Sequence, residues 1–298
     1  MYYIRRERWD LGKTKGRYMF QAINVLIMVV LAAAAIFPFI HVLARSLSDE
    51  AAITSGKVVM LPVDMTWLAY EAVIHNAGMN QAFLFTAYLT VVGTLVNLLL
   101  TVFGAYPLSK PGLIGRKGIW MFILFTMFFS GGIVPTYLVV KALGLLDSVW
   151  ALIFPIAIST FNLIIMKTFF QGMPVELDEA AKLDGATDIG ILFRIMLPLS
   201  LPIIATLTLF YAVDHWNEFY HALLYNSDSS KFTLQLKLRE LVLQGQTAQL
   251  MEGSSQQNIP KESLKAASIM YATLPILVVY PWLQKYFVKG ALIGSLKS

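Results

Sequence analysis

The chain has 298 residues, 57% of them hydrophobic, with a mean hydropathy of +0.65 and a formal net charge of +5. Soluble domains are about 45–50% apolar, so this chain is too apolar and too long to be one ordinary soluble domain. It contains no cysteine, which excludes disulfides, thiolate metal sites and cysteine nucleophiles. A basic excess would point to nucleic acid in a soluble chain; here its distribution matters more than its sum.

A membrane-crossing helix needs about 20 mostly apolar residues. Lys, Arg, Asp and Glu are absent from Tyr18–Ala44, Ala72–Ser109, Gly118–Val140, Ser148–Met166, Ile195–Val213 and Ala266–Gln284. Helices satisfy their own backbone polar groups in lipid, so these stretches predict six transmembrane helices near 20–43, 82–106, 119–140, 149–170, 197–223 and 266–288. The chain then divides into a basic amino terminus (1–19), a transmembrane domain (20–289) and a short tail (290–298). The transmembrane domain carries a charged connector at 171–196 and a long polar loop at 226–265.

The first apolar run is far longer than the ~7–15-residue core of a signal peptide, and no clean small-x-small site follows it, so it is expected to remain as a span. Before it lie Arg5, Arg6, Arg8, Lys13, Lys15 and Arg17. With six spans, the same side holds Lys110, Arg116, Lys117, Lys167, Lys182, Arg194, Lys285, Lys289 and Lys297. The other side has Arg45, Lys57 and Lys141, plus five basic residues spread over Asn226–Lys265. The positive-inside rule therefore predicts a multi-pass cell-membrane protein with both termini in the cytoplasm, and with Thr187 inside and Ser254 outside. Gly12-Lys13-Thr14 looks like the end of a phosphate-binding loop, but Glu7 stands where that pattern needs its first glycine. No ATP site is expected by that route.

The third span contains Gly131, Gly132 and Pro135, which predict close helix approach or a kink. The connector after the fourth span is unusually specific. Pro174 suits a first helical position, and Glu176, Asp178 and Glu179 sit where a helix amino terminus favours negative charge. Ala180, Ala181 and Leu183 continue the helix, and Gly185 interrupts it. Thr187 or Asp188 can cap a second short helix through Arg194, before Pro198 and Pro202 return the chain to the membrane. The result is a projecting knob of two short helices. A connector that packs only on its own bundle is the plainer reading.

In the fifth span and just beyond it, Tyr211, Asp214, Glu218, His221 and Tyr225 fall on one face at i, i+3, i+4 and i+7 spacing. Carboxylates at membrane depth are costly, about 2.5–3.5 kcal/mol for Asp at a helix centre. Such a stripe is expected to face a water-filled cavity or a partner helix. Asp214, Trp216, Asn217, Glu218 and His221 are the candidate pathway residues. The alternative is interfacial anchoring by Trp216, Tyr220 and the histidines. In the polar loop Leu234, Leu236, Leu238, Leu241, Val242 and Leu243 lie among charges, followed by a soft stretch at 252–258. Docking of a partner and a simple solvated connector are both open for it. His41 and His75 are isolated and receive no role.

Glu179-Ala180-Ala181, three residues, Gly185, nine residues, Ile195, one residue and Leu197-Pro198 form an uninterrupted match to the EAA loop of ABC importer permeases. The chain resembles the MalG-like branch of carbohydrate permeases, and within it the YtcP-type partners of LplB-type permeases. Pro135-Thr136-Tyr137, Leu143-Gly144-Leu145-Leu146-Asp147, Met173-Pro174, Asp184-Gly185-Ala186, Trp216-Asn217-Glu218-Phe219 and Lys289–Ser295 carry the likeness, which runs from the first span onward. The resemblance implies an all-α integral membrane protein with six transmembrane helices, in the MetI-like fold of type I ABC importers. It implies half of a translocation pathway, completed by a second, LplB-like permease. Two copies of an ABC ATPase subunit would use the ATP, and an extracytoplasmic solute-binding protein would deliver a carbohydrate, expected to be an oligosaccharide.

By the same resemblance Glu179, Ala180, Ala181, Asp184 and Gly185 form a coupling helix seated in the ATPase, with Glu179 meeting a basic residue there. No cofactor, metal or nucleic acid is expected, and membrane lipid surrounds the spans. No nucleophile–base constellation favours an enzyme. An amino acid or peptide cargo for the same machinery is an alternative. An autonomous ion-coupled transporter is another, though no paired half-repeat with broken helices is evident.

Overall fold

The computed structural model describes residues 15–244 and 261–295, with side chains from 18 to 242 and from 261 to 279. Arg5 to Lys13, the soft stretch 252–258 with Ser254, and the end of the tail lie outside them. Among the described residues the chain is helical, with one isolated bridge pairing Ser48 and Met65.

Three helices are long and apolar enough to cross a membrane alone: α1 (Lys15–Ser46), α4 (Ala77–Ser109) and α15 (Lys261–Ser295). Two short helices, α2 (Glu50–Thr54) and α3 (Leu68–His75), join the first two and pack on α15. Three further helix pairs, each bent at a short break, are long and apolar enough to cross if each pair is one span, which gives up to the six expected.

The first broken pair is α5 (Arg116–Phe128) with α6 (Ile133–Ala142), bent by 116°. The expected span 119–140 is therefore not one helix. Gly132 sits at φ +88, which L side chains rarely adopt, and caps α6. The second is α7 (Val149–Ile153), continued by a 3₁₀ turn Phe154–Ile156, with α8 (Thr160–Gln171), bent by 56° where Ser159 caps α8. Two more short helices, α9 (Val175–Leu183) and α10 (Asp188–Ile191), follow. A π-helical turn, Leu192–Met196, leads from α10 into α11 (Leu197–Leu199). α12 (Leu201–Trp216) then departs at 82°, at Ser200 between Pro198 and Pro202. Pro202 lacks the N–H that would continue the ladder.

The expected fifth span, 197–223, stops at Trp216. Asn217–Phe219 form a turn before α13 (Tyr220–Tyr225), and α14 (Leu234–Gln244) lies in the polar loop.

α4 organises the bundle. Its 33 residues give a rod of about 50 Å. It packs against α3, α7, α8, α12 and α14. Near its start, Met79 and Ala82 join Leu234, Leu238 and Leu241 of α14 and Leu264 and Ala267 of α15. Near its end, Val102, Ala105 and Leu108 join Met166, Ala181, Ile191 and Met196. The polar loop and the charged knob thus occupy opposite ends of one helix. The middle of α4 meets α12 at Gly93, where an added Cβ would lie 2.5 Å from His215 Nε2. Only a hydrogen at this position lets the two helices come so close. By contrast, most of α1 presents exposed apolar side chains along its whole crossing, the surface expected of a helix facing lipid or another membrane subunit.

Candidate functional site

The charged knob is built from local signals that agree. Pro174 precedes α9 as its cap, one position earlier than expected, while Glu176 and Asp178 occupy the acidic first turn. The helix ends in a Schellman arrangement: Ala186 N–H donates to the Ala181 carbonyl and Gly185 N–H to that of Lys182. Gly185 stands at φ +80 with open space where a Cβ would be, so it is needed for backbone conformation rather than for room. Of the two possible caps for the second helix, Thr187 fills the role, its Oγ1 accepting from Gly190 N–H at 3.2 Å.

Ala181 is buried against the bundle, whereas Glu179, Ala180, Asp184 and Gly185 are exposed. Leu183 is 90% exposed and Ile189 68% exposed beside them. The knob therefore presents apolar surface next to free carboxylates, the composition of a docking face rather than of a solvated loop.

An ionic relay fixes this knob to the bundle. Lys110 Nζ, just past α4, lies 2.5 Å from Asp178 Oδ1 and 4.6 Å from the centre of the Tyr106 ring. Lys182 Nζ bridges Asp178 at 3.2 Å and Asp188 at 3.3 Å. Burial raises the Asp178 carboxyl, but hydrogen bonds and charges from Lys110 and Lys182 outweigh it and hold the group below the usual carboxylate range. Hydrogen bonds to Asp178 and Asp188, and their charges, raise the Lys182 ammonium above its ordinary value. A depressed carboxyl contributes stability above its unfolded pKa and loses it as pH falls through the folded value. The relay is therefore complete throughout the neutral range, and acid opens it by protonating Asp178.

A second site lies at the end of α12. A cavity of about 650 Å³ is lined there by Asp214, His215, Asn217, Glu218, His221 and, from α4, Asn97. Pro155 to Ser159, at the break between α7 and α8, close another side. Sites for small molecules span about 300–1,000 Å³. Glu218 is 6% exposed and caps α13: Oε1 accepts from His221 N–H at 2.8 Å and Oε2 lies 2.9 Å from His221 Nδ1. The His221 ring stacks on Tyr225, which stacks on Tyr137. Asp214 is exposed and makes no hydrogen bond or ion pair among the described residues. Asn217 Oδ1 accepts from Gln235 at 3.4 Å, tying this turn to α14.

Asp214, Asn217, Glu218 and His221 come together as expected, but not on one continuous helix face. α12 ends at Trp216, and the turn brings Glu218 and His221 back towards Asp214. Trp216 departs from the expectation and lines no part of this cavity. Its ring meets Phe83 edge-on and its Nε1–H donates to the Ala272 carbonyl, so it anchors α12 to α4 and α15.

Sequence reasoning missed His215 and Asn97. His215 is fully buried, with Nε2 3.1 Å from Asn97 Nδ2. One turn deeper, Tyr211 hydroxyl pairs with Thr101 Oγ1 at 2.7 Å and accepts from Ser159 N–H. The signal was present in α4, where Thr86, Thr90, Thr94, Asn97 and Thr101 recur at three- and four-residue intervals in an otherwise apolar span. Asp147 was also passed over as a working residue. It stands at φ 55, and its Oδ1 accepts from Ser227 and Asp228 N–H, clamping the Leu143–Asp147 turn to the start of the polar loop.

Residues 84–292 match the family of binding-protein-dependent transport system inner membrane components. The chain belongs to that family. It is a membrane permease subunit of an ABC import system, with the MetI-like permease fold. Among its relatives, Protein LplC of Bacillus subtilis (strain 168) is 48% identical, over 97% of this chain and 98% of the relative. The polygalacturonan/rhamnogalacturonan transport system permease protein YtcP of the same organism is 46% identical, over 91% and 96%. A bacterial ABC transporter involved in the import of the acidic polysaccharide alginate, solved by crystallography, matches with a TM-score of 0.87 at 32% identity. That match covers 93% of this chain and 99% of the other. The likeness to ABC importer permeases carried by the Glu179–Pro198 motif, and the YtcP-type likeness of the surrounding segments, are thereby borne out.

The Lys110–Asp178 pair generates a direct test. Exposed pairs contribute about 0.2–1 kcal/mol and breaking a buried one costs about 3–5. This pair, 24% and 17% exposed, is expected to lie between. Asp178→Lys alone should lower both the thermal stability of the purified permease complex and its stimulated ATP hydrolysis. Adding Lys110→Asp should recover more than half of each loss. A double variant no better than the single one would mean that the pair does not position α9.

Proposed function

We propose that this chain forms one half of the translocation pathway of an ATP-driven carbohydrate importer, with oligosaccharide as cargo. The observation that carries the reading is the cavity at the end of α12, where Asp214, Asn217 and Glu218 offer hydrogen-bond acceptors and aromatic rings flank them. Sugar hydroxyls suit such acceptors, and rings cover the apolar faces of pyranoses. The names of the relatives YtcP and of the alginate importer point to saccharide cargo as well. A second permease of the LplB type completes the pathway, two copies of an ABC ATPase subunit bind and hydrolyse the ATP, and an extracytoplasmic binding protein delivers the sugar. The chain itself uses no cofactor or metal.

In this reading α9 is the coupling helix. Glu179 meets a basic residue of the ATPase, while Leu183 and Ile189 supply apolar contact beside it. ATP-driven closure is a rigid-body movement, and the Asp178 relay passes it to the end of α4, whose Asn97 borders the cavity. Both termini and the knob are cytoplasmic, and α14 faces outward.

Orientation is tested in the naturally cysteine-free chain. A single cysteine at Ser229 should react with an impermeant thiol reagent on intact cells, and one at Thr187 only after permeabilisation. The reverse pattern would overturn the orientation. For coupling, Glu179→Lys places a cation opposite the expected basic partner, and Gly185→Leu forces a side chain into a positive-φ position, a strain of about 1–3 kcal/mol. Each variant should insert normally yet lose substrate-stimulated ATP hydrolysis and uptake by at least ~10-fold, the equivalent of about 1.4 kcal/mol. Normal transport by both in a reconstituted complex would refute the coupling role.

A further inference from the structure

The charge of the cavity goes beyond its general fitness for sugars. Asp214 and Glu218 both border it, and none of its described lining residues is Lys or Arg. Lys237 pairs with Glu240, and Arg239 lies over the ring of Phe219, a wall residue; among the described residues neither forms an ion pair with Asp214 or Glu218. Glu218 is committed to His221 and to the cap of α13, whereas the Asp214 carboxylate is uncommitted. Two deeply buried side chains add a second, independent observation. Asn97 is 1% exposed and His215 is fully buried, yet Asn97 Oδ1 and His215 Nδ1 have no hydrogen-bond partner among the described residues. Asp214 therefore presents an acceptor that only a donor can satisfy, and the wall behind it holds a buried amide oxygen without a partner among the described residues.

We propose that this half of the pathway selects uncharged, hydroxyl-rich glycans against polyuronates, with Asp214 as the selecting residue. The proposal rests on the carbohydrate reading above and adds a charge rule to it. A neutral sugar brings O–H donors to these acceptors. A uronate replaces one C6 hydroxyl per residue with an ionised carboxylate, which accepts only and carries the same charge as Asp214 and Glu218. A like charge held at the site acts against the wrong cargo rather than for the right one. The solved relative is named for import of an acidic polysaccharide and YtcP for polygalacturonan, also a polyuronate, so this rule would separate the present chain from both.

Two measurements on the assembled complex, reconstituted in proteoliposomes with its binding protein, test this. The first reads the charge of the cavity without any sugar. A single cysteine at Tyr220, which lines the cavity, is modified with methanethiosulfonate reagents carrying either a trimethylammonium or a sulfonate group. The cationic reagent should react at least ~10-fold faster relative to a freely exposed thiol, because a cleft of one charge sign concentrates counter-ions. Asp214→Asn should shrink that ratio and Asp214→Glu should preserve it. Equal rates, or a ratio indifferent to Asp214→Asn, would overturn the proposal.

The second measurement offers two labelled pools: neutral oligosaccharides from galactan and arabinan digests, and acidic ones from polygalacturonate and alginate digests. ATP-dependent uptake of the neutral pool with exclusion of the acidic pool supports the rule. Equal or preferred uptake of the acidic pool overturns it and leaves the carbohydrate reading standing. Uptake of neither pool, in a complex whose ATPase still responds to its loaded binding protein, overturns both.

Discussion

The structure depends on a polar seam between α4 and α12 at membrane depth. Two long helices bring Asn97 to His215 and Thr101 to Tyr211, and Gly93 lets the His215 ring lie against the α4 backbone. Unsatisfied polar groups in hydrocarbon cost several kcal/mol each, so these side chains fix both the distance and the rotation of one helix relative to the other. An apolar interface of similar area would tolerate sliding. This one has a register, and the cavity at the end of α12 inherits its position from it.

From that seam the two functional ends follow. Towards one end of α4, the α12 helix stops at Trp216 and a turn folds Glu218 back to cap α13, which sets the shape of the cavity wall. Towards the other end, Lys110 holds Asp178 and with it the whole of α9. The knob is stiff for local reasons, a Schellman ending at Gly185 and a threonine cap at Thr187, and attached for non-local ones. A stiff but loosely attached knob would rock in place; an attached but floppy one would bend. The relay and the caps together make α9 and α4 one mechanical piece.

The parts of this arrangement that were legible from sequence are the local ones. Charge-free runs revealed the crossings, and the acidic turn, alanines and Gly185 revealed the knob, because caps and glycine breaks are written within a few residues of the feature they make. The knob's hold on α4 was not legible. Lys110 and Asp178 are 68 positions apart, and nothing local pairs them. His215 and Asn97, 118 positions apart, were missed for the same reason. The stripe from Tyr211 to Tyr225 was found by helical spacing although the helix ends within it, since no proline or glycine marks Asn217–Phe219. Trp216, named with the pathway candidates although outside that spacing, has its indole packed against Phe83 and Ala272 instead. In the third expected crossing Gly131-Gly132 announced a break but not its 116° angle, which glycine permits without fixing.

The most direct measurement of the central claim is a distance. Spin labels on single cysteines at Glu176 in α9 and at Leu99 on the exposed face of α4 report whether knob and helix move together in the assembled complex. The account predicts one distance, unchanged within about 2 Å between the nucleotide-free and ATP-trapped states, while labels across to the partner permease move. A shift of several ångströms between Glu176 and Leu99 during the cycle would mean that α9 pivots on the bundle, and the rigid connection from knob to cavity would be wrong.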